Sequence, residues 1–245
     1  MLILLFFATS AVGVVTGSNS LITVPVMFQF GIDPKVAVAT NMFGLTFMAI
    51  GATIPFVRQK AIDYRRVSPL ILLTIIGSAI GACLVGFISD KTMPVIVSVS
   101  MIAVTIFTLI KRDAGVAKTE IVSANARNIT YILTFLLGIY GGLYSGGYVT
   151  LLTASYVAFF GMTFAESVAS TKLINVFSSS IASAIFMWQG LVDYKLGAIL
   201  AVTMFVAAYI GAKTVTKLND VWLKRIFLGT VLILAVKTIL DSTTQ

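Results

Sequence analysis

Histidine is absent from this 245-residue sequence, and cysteine occurs once, at Cys83. The missing imidazole removes the commonest metal ligand and the commonest general base in proteins. The sequence also lacks the HExxH, Walker A and GxSxG patterns of zinc proteases, nucleotide-binding loops and serine hydrolases. We therefore predict that the protein is not an enzyme and holds no resident metal ion or cofactor.

Charged residues are scarce as well, at 11% of the chain, whereas soluble domains carry about 25%. The mean hydropathy is +1.03. Apolar stretches of about 20 residues match the length of a helix that crosses roughly 30 Å of hydrocarbon. Because these stretches are continuously apolar and do not alternate, they favour helices over β-strands. The sequence predicts an all-α, polytopic protein whose main partner is the lipid bilayer.

The few charges are mostly basic, and the net charge is +8. The basic residues lie in short loops beside apolar segments, which is typical of the positive-inside bias of membrane proteins. No basic patch interleaved with aromatic residues is present, so nucleic acid is not predicted as a partner.

The chain divides into apolar stretches separated by polar loops. We predict eight stretches, at about 1–30, 35–57, 67–89, 93–110, 128–160, 164–188, 195–213 and 222–240. The most polar linker, 113–127, lies near the midpoint and separates a first unit, 1–112, from a second, 128–245.

The second unit repeats the first at a constant offset of 130 in residue number, which we call the repeat offset. Asp63-Tyr64 then matches Asp193-Tyr194, and Gly31 matches Gly161. The charges of matched loops differ: the loop at 58–66 carries +3 and its counterpart carries zero, while the loop at 90–91 carries zero and its counterpart carries +3. By the positive-inside rule, the two halves have opposite orientations in the membrane.

An inverted repeat requires an odd number of crossings in each half. The first stretch of each half is interrupted, by residues 16–20 and by residues 141–147, into pieces of about 10–16 residues that are too short to cross alone. We predict that each half is a broken, re-entrant helix followed by three transmembrane helices. Non-helical backbone at membrane depth is tolerated where it lines a cavity, although glycines that serve only helix packing are the alternative.

The breaks suit an anion, because the exposed N–H groups of a helix start carry partial positive charge. An offset of 127 within the breaks would match Thr23 with Thr150. Lys172 is the one charge well inside a predicted span, and it suits an anionic ligand unless it snorkels to the membrane surface or pairs with Glu166. The predicted substrate-binding residues are Ser18, Asn19, Ser20, Thr23, Thr40, Asn41, Ser145, Gly146, Gly147, Tyr148, Thr150, Ser170, Thr171, Lys172 and Asn175.

Two motif copies carry a family resemblance. The first comprises residues 17–25, Gly31 and 37–41, and the second comprises residues 145–152, Gly161 and 168–172. Together they resemble the TauE/SafE sulfite exporter family along the whole chain, although the first copy has Ser-Asn-Ser where glycines are usual and the second lacks the proline. The resemblance implies secondary transport of small sulfur-containing anions, such as sulfite or sulfonates like sulfoacetate, across the bacterial inner membrane by alternating access, with export as the expected direction.

Other functions remain open at this stage. The main alternatives are an anion channel and a permease for a different small anion or a metal cation, although a cation site would require carboxylates at depth and the sequence has none there. A third alternative is a membrane enzyme, or an assembly subunit that does not transport a substrate. The sequence is also compatible with a homodimer.

Overall fold

All regular structure in the described residues is helical. The computed structural model describes residues 2–17, 19–100, 123–218, 221, 222 and 225. The helices are α1 (Leu2–Thr16), α2 (Ser20–Gln29), α3 (Pro34–Arg58), α4 (Tyr64–Val85), α5 (92–100), α6 (Ala124–Leu143), α7 (Tyr148–Phe159), α8 (Phe164–Trp188) and α9 (Tyr194–Val215). Within these residues, α3, α4, α8 and α9 are long and apolar enough to cross a membrane. The predicted all-α class is confirmed for this part of the chain.

Polar side chains set the starts of these four helices. Asp33, Asp63 and Asp193 each accept hydrogen bonds from backbone N–H groups in the first turn of α3, α4 and α9. At the start of α8, Thr163 and Glu166 form a capping box. Such caps satisfy N–H groups that have no partner within the helix. The matched acids of the sequence repeat, Asp63 and Asp193, are therefore capping residues.

The repeat offset recurs in the backbone. Helices α8 and α9 begin and end at the positions that match the bounds of α3 and α4. The described residues with positive φ also form matched pairs, which are Gly17 with Gly147, Gly31 with Gly161, and Lys60 with Gly190. The first of these pairs lies in the breaks. The separate offset of 127 for the breaks is therefore wrong, and Thr23 corresponds to Thr153.

The packing of the helices is reciprocal between the two halves. Helices α3 and α8 contact each other at the centre, and α3 packs on α9 as α8 packs on α4. Outside them, α1 packs on α9 and α6 packs on α4. The short helices α2 and α7 contact α3 and α8, respectively. Most of α3 and α8 is buried, and polar residues within these spans, such as Asn41, Lys172 and Asn175, face protein.

The first piece of the second break is longer than the sequence suggested. Helix α6 has 20 residues, against the 10–16 expected, while α1, α2 and α7 have 15, 10 and 12. It begins at Ala124, inside the predicted linker 113–127, because the Ser123 hydroxyl accepts a hydrogen bond from the Ala126 N–H and caps it. The rest of that linker and most of the predicted crossing at 222–240 lie outside the described residues.

Candidate functional site

Both helix breaks turn at a glycine in the left-handed region. Gly17 has φ +67° after α1, and Gly147 has φ +75° directly before α7. Glycine adopts such angles without the steric cost that a Cβ imposes. At Gly17 space is a second reason, since a Cβ there would lie 2.6 Å from the Val149 Cβ. The break of the first half therefore lies directly against the first turn of α7.

Hydrogen bonds join the two breaks to each other. The hydroxyl oxygens of Ser20 and Ser145 lie 2.8 Å apart. Thr150 Oγ1 donates to the Thr16 carbonyl, and the Tyr144 hydroxyl donates to the Ser20 carbonyl at 3.0 Å. Side chains and carbonyls from distant parts of the sequence therefore form one buried polar cluster.

Helices α3 and α8 contact the short helices α2 and α7 at equivalent positions. Asn41 of α3 donates from Nδ2 to Ser20 Oγ at 2.8 Å and accepts from Thr23 Oγ1 at 2.8 Å. In the second half, the hydroxyl oxygens of Thr153 and Thr171 lie 3.2 Å apart. The repeat offset relates Thr23 to Thr153 and Asn41 to Thr171, so each short helix is tied to its long neighbour in the same way.

Lys172 is buried, with 3% of its surface exposed, and its Nζ donates to the Gly13 carbonyl at 2.9 Å. Gly13 belongs to the last turn of α1, where helix carbonyls carry partial negative charge. Lys172 neither snorkels nor pairs with Glu166, whose carboxylate accepts the Thr163 N–H. Its partner is a backbone carbonyl, which the sequence does not reveal.

One cavity lies between the breaks and the two central helices. Its lining residues are Gly13, Gly17, Asn19, Ser20, Leu45, Met48, Ser145, Val149, Lys172 and Asn175. Its volume is about 10 Å³, which is near the minimum for one water molecule. An anion of several heavy atoms requires more room than this cavity offers.

Some predicted site residues line this cavity and others do not. Asn19, Ser20, Ser145, Lys172 and Asn175 are on its wall. Asn41 and Thr23 lie behind Ser20 through the contacts described above. The remaining predicted residues within the described chain, which are not on the wall, are Thr40, Gly146, Gly147, Tyr148, Thr150, Ser170 and Thr171. Ser18 lies outside the described residues.

Besides Thr150 and Thr171, whose contacts are described above, two more of these outlying residues have identifiable structural contacts. Thr40 Oγ1 accepts the Asp193 N–H at 3.0 Å, so it faces the start of α9. The Gly146 carbonyl accepts a hydrogen bond from the Tyr140 hydroxyl, and a Cβ on Gly146 would collide with the ring of Tyr144. The sequence analysis missed Gly13, Leu45, Met48 and Val149, which are small or apolar and carry no signal of a site.

The wall has the chemistry of an anion site. It combines one ammonium group, the amides of Asn19 and Asn175, and the hydroxyls of Ser20 and Ser145. Ser20 and Val149 place the first turns of α2 and α7 at the cavity, and helix starts favour negative charge. Among the described residues, no carboxylate lines it, and no group of three His, Cys, Asp or Glu residues suited to a metal ion occurs.

Comparison with known families identifies the chain. The family model described as "Sulfite exporter TauE/SafE" matches residues 2–238. The chain belongs to the TauE/SafE family. The family resemblance predicted from the two motif copies is therefore confirmed.

Relatives of this TauE/SafE chain carry transporter names. It is 25% identical over 215 residues to "Probable membrane transporter protein" of Haemophilus influenzae, with 85% of this chain and 82% of the relative covered. It is 24% identical over 247 residues to "Probable membrane transporter protein YfcA" of Escherichia coli strain K12, with 97% and 89% covered. No solved structure matches it. The protein is a membrane transporter of the TauE/SafE family.

Proposed function

We propose that this protein is a secondary transporter that moves small sulfur-containing anions, such as sulfite or sulfonates like sulfoacetate, out across the bacterial inner membrane. The observation that carries the proposal is the buried cavity in which Lys172 meets the starts of α2 and α7. An oxyanion in this cavity lies beside the ammonium group of Lys172, the neutral amide and hydroxyl donors of the wall, and the first turns of α2 and α7. The name of the matching family supplies the substrate class.

Alternating access between inverted repeats is the proposed mechanism. Three observations support it: the helix bounds that recur at the repeat offset, the reciprocal packing of the halves, and the exchange of loop charge between them. Substrate sites at the interface of such repeats, formed by broken helices, are a common design of secondary transporters. The small cavity is then the closed state between two openings.

Flux measurements in liposomes test the proposal. Vesicles that contain the purified protein and unlabelled sulfite should accumulate labelled sulfite transiently, because a carrier exchanges substrate across the membrane while an open channel does not. Sulfoacetate should compete with sulfite, and sulfate and chloride should compete less. Flux of chloride or a divalent metal cation without counterflow of sulfur oxyanions would contradict it.

Accessibility labelling tests the inverted arrangement. Single cysteines near Arg65 and near Asp193, in a Cys83→Ser background because Cys83 is exposed, should react with a membrane-impermeant reagent from opposite sides of the membrane. Arg65 should label from the cytoplasm, since its loop is basic. Labelling of both positions from one side would show that the halves are not inverted.

A further inference from the structure

A second, larger depression lies on the outer side of the crossing between α3 and α8. Its volume is about 360 Å³. Its lining residues are Ile50, Thr53, Ile54, Val57, Arg58, Leu173, Val176 and Phe177, none of which lines the candidate site. We call it the α3/α8 groove. It is apolar except for Thr53, whose hydroxyl donates to the Ala49 carbonyl at 2.7 Å, and Arg58 at its end.

The α3/α8 groove opens toward the surroundings of the two helices. Ile50, Val57 and Phe177 on its wall are between 37% and 41% exposed. Because α3 and α8 are candidate membrane spans, these surroundings are the hydrocarbon of the bilayer. Lipid tails are as apolar as leucine, so the apolar wall can contact an acyl chain but hardly distinguishes one lipid from another. Any selectivity must come from the polar end.

That polar end carries positive charge. Arg58 is exposed, and its described hydrogen bond is a long one, from Nη1 to the Tyr209 hydroxyl at 3.4 Å. The loop that follows holds Lys60, and the first turn of α4 holds Arg65; the acid between them, Asp63, accepts the backbone N–H groups of that turn. Basic residues beside a membrane span attract anionic headgroups, and a guanidinium group can hold phosphate oxygens through two hydrogen bonds.

The repeat shows that the groove is specific to one end of the α3/α8 pair. The repeat offset matches Arg58 with Trp188, which has no positive charge. It matches Thr53 with Ser183, whose hydroxyl lies 3.0 Å from that of Thr46 and joins α3 and α8 there. The architecture of the repeat therefore does not require an open groove with a basic end.

We propose that the α3/α8 groove binds one acyl chain of an anionic phospholipid, with the lipid phosphate at Arg58. The ligand class follows from the combination of an apolar trough within the membrane span and a guanidinium group at its end. The site is separate from the proposed transport site and does not depend on the identity of the transported anion.

Quenching of tryptophan fluorescence by brominated lipids tests the proposal. The reporter is Phe177→Trp in the full chain, with Trp188→Phe and Trp222→Phe to remove the other two tryptophans. The protein is reconstituted in phosphatidylcholine vesicles that contain increasing fractions of brominated phosphatidylglycerol or, separately, brominated phosphatidylcholine. Phosphatidylglycerol should bind about fivefold more tightly, since one basic residue near the surface contributes about that factor.

Two variants locate the preference. Arg58→Gln should abolish the preference for phosphatidylglycerol. Arg65→Gln, which removes the same charge from the neighbouring first turn of α4 outside the groove, should retain most of it. Equal quenching by both lipids with Arg58 present would overturn the proposal. Absence of quenching by either lipid, together with crosslinking between copies at this face, would overturn it in favour of a second copy of the chain.

Discussion

The two walls of the candidate site come from equivalent helices but differ in chemistry. Helix α3 contributes Leu45 and Met48 to the cavity, and α8 contributes Lys172 and Asn175. At the repeat offset, Asn175 corresponds to Leu45, and Lys172 corresponds to the buried Met42. The backbone of the two helices is therefore shared, while the wall from α8 carries a charge and an amide where the wall from α3 is apolar.

This difference distinguishes features that build the helical frame from features that give the site its polarity. The repeated features, which are the helix caps, the left-handed residues and the ties between short and long helices, build the frame. The features that are not repeated concentrate polarity on one wall. Under the proposed function, the affinity for an anion therefore depends more on α8 than on α3.

The largest expected effect on transport comes from making α8 resemble α3. Lys172→Met introduces into the α8 wall the methionine that α3 has at the matching position 42, and it removes the ammonium group there. Anion affinity should fall by about tenfold to a hundredfold, since a hydrogen bond from a charged group contributes about 1.5–3 kcal/mol. Competition by unlabelled sulfite in the liposome assay measures this.

Two further variants test whether the effect of Lys172→Met comes from the charge at this position. Lys172→Arg should retain part of the affinity, because the charge remains while the shape changes. Lys217→Met, which removes a lysine from the turn after α9, should change little. Unchanged transport by Lys172→Met would show that the two walls are functionally equivalent despite their different side chains.

In unfolding free energy, the largest effect is expected at the break of the first half. Gly17→Ala should destabilise the protein by roughly 2–5 kcal/mol, from about 1–2 kcal/mol for a left-handed alanine and about 1–3 kcal/mol for overpacking against Val149. Gly31→Ala is the matched control, because Gly31 has φ +76° and a Cβ there would meet nothing within 4 Å. Thermal unfolding in detergent measures the stability of both variants. Equal losses of stability would mean that the contact between Gly17 and Val149 does not add to the cost of the alanine.

The smallest effect concerns the bond between the breaks. A double-mutant cycle with Ser20→Ala and Ser145→Ala should give a coupling energy of about 0.5–1.5 kcal/mol in unfolding free energy. The same cycle at Thr153 and Thr171, each changed to Val, measures a tie within the second half alone. A coupling of zero at Ser20 and Ser145 would show that their hydrogen bond does not join the halves.

Much of the frame could be predicted from the sequence, because it depends on local chemistry. Runs of apolar residues and capping acids such as Asp63 and Asp193 mark helices by rules that act within a few positions. The start of α6 was missed, since the Ser123 cap lies in a polar segment without an apolar run. Among the site residues, Lys172 and Asn175 were predicted from polarity inside a span, and both line the cavity.

The sequence by itself determined the helical class and the repeat. It also identified the polar residues inside apolar spans as candidates for a site, because lipid penalises every uncompensated polar group. Only the tertiary structure decided that the Gly13 carbonyl pairs with Lys172, that Leu45 and Met48 form the opposite wall, and that Thr40 faces α9. These contacts join residues far apart in sequence. A backbone carbonyl or an apolar side chain has the same sequence signature wherever it packs, so its role depends on the helices brought against it.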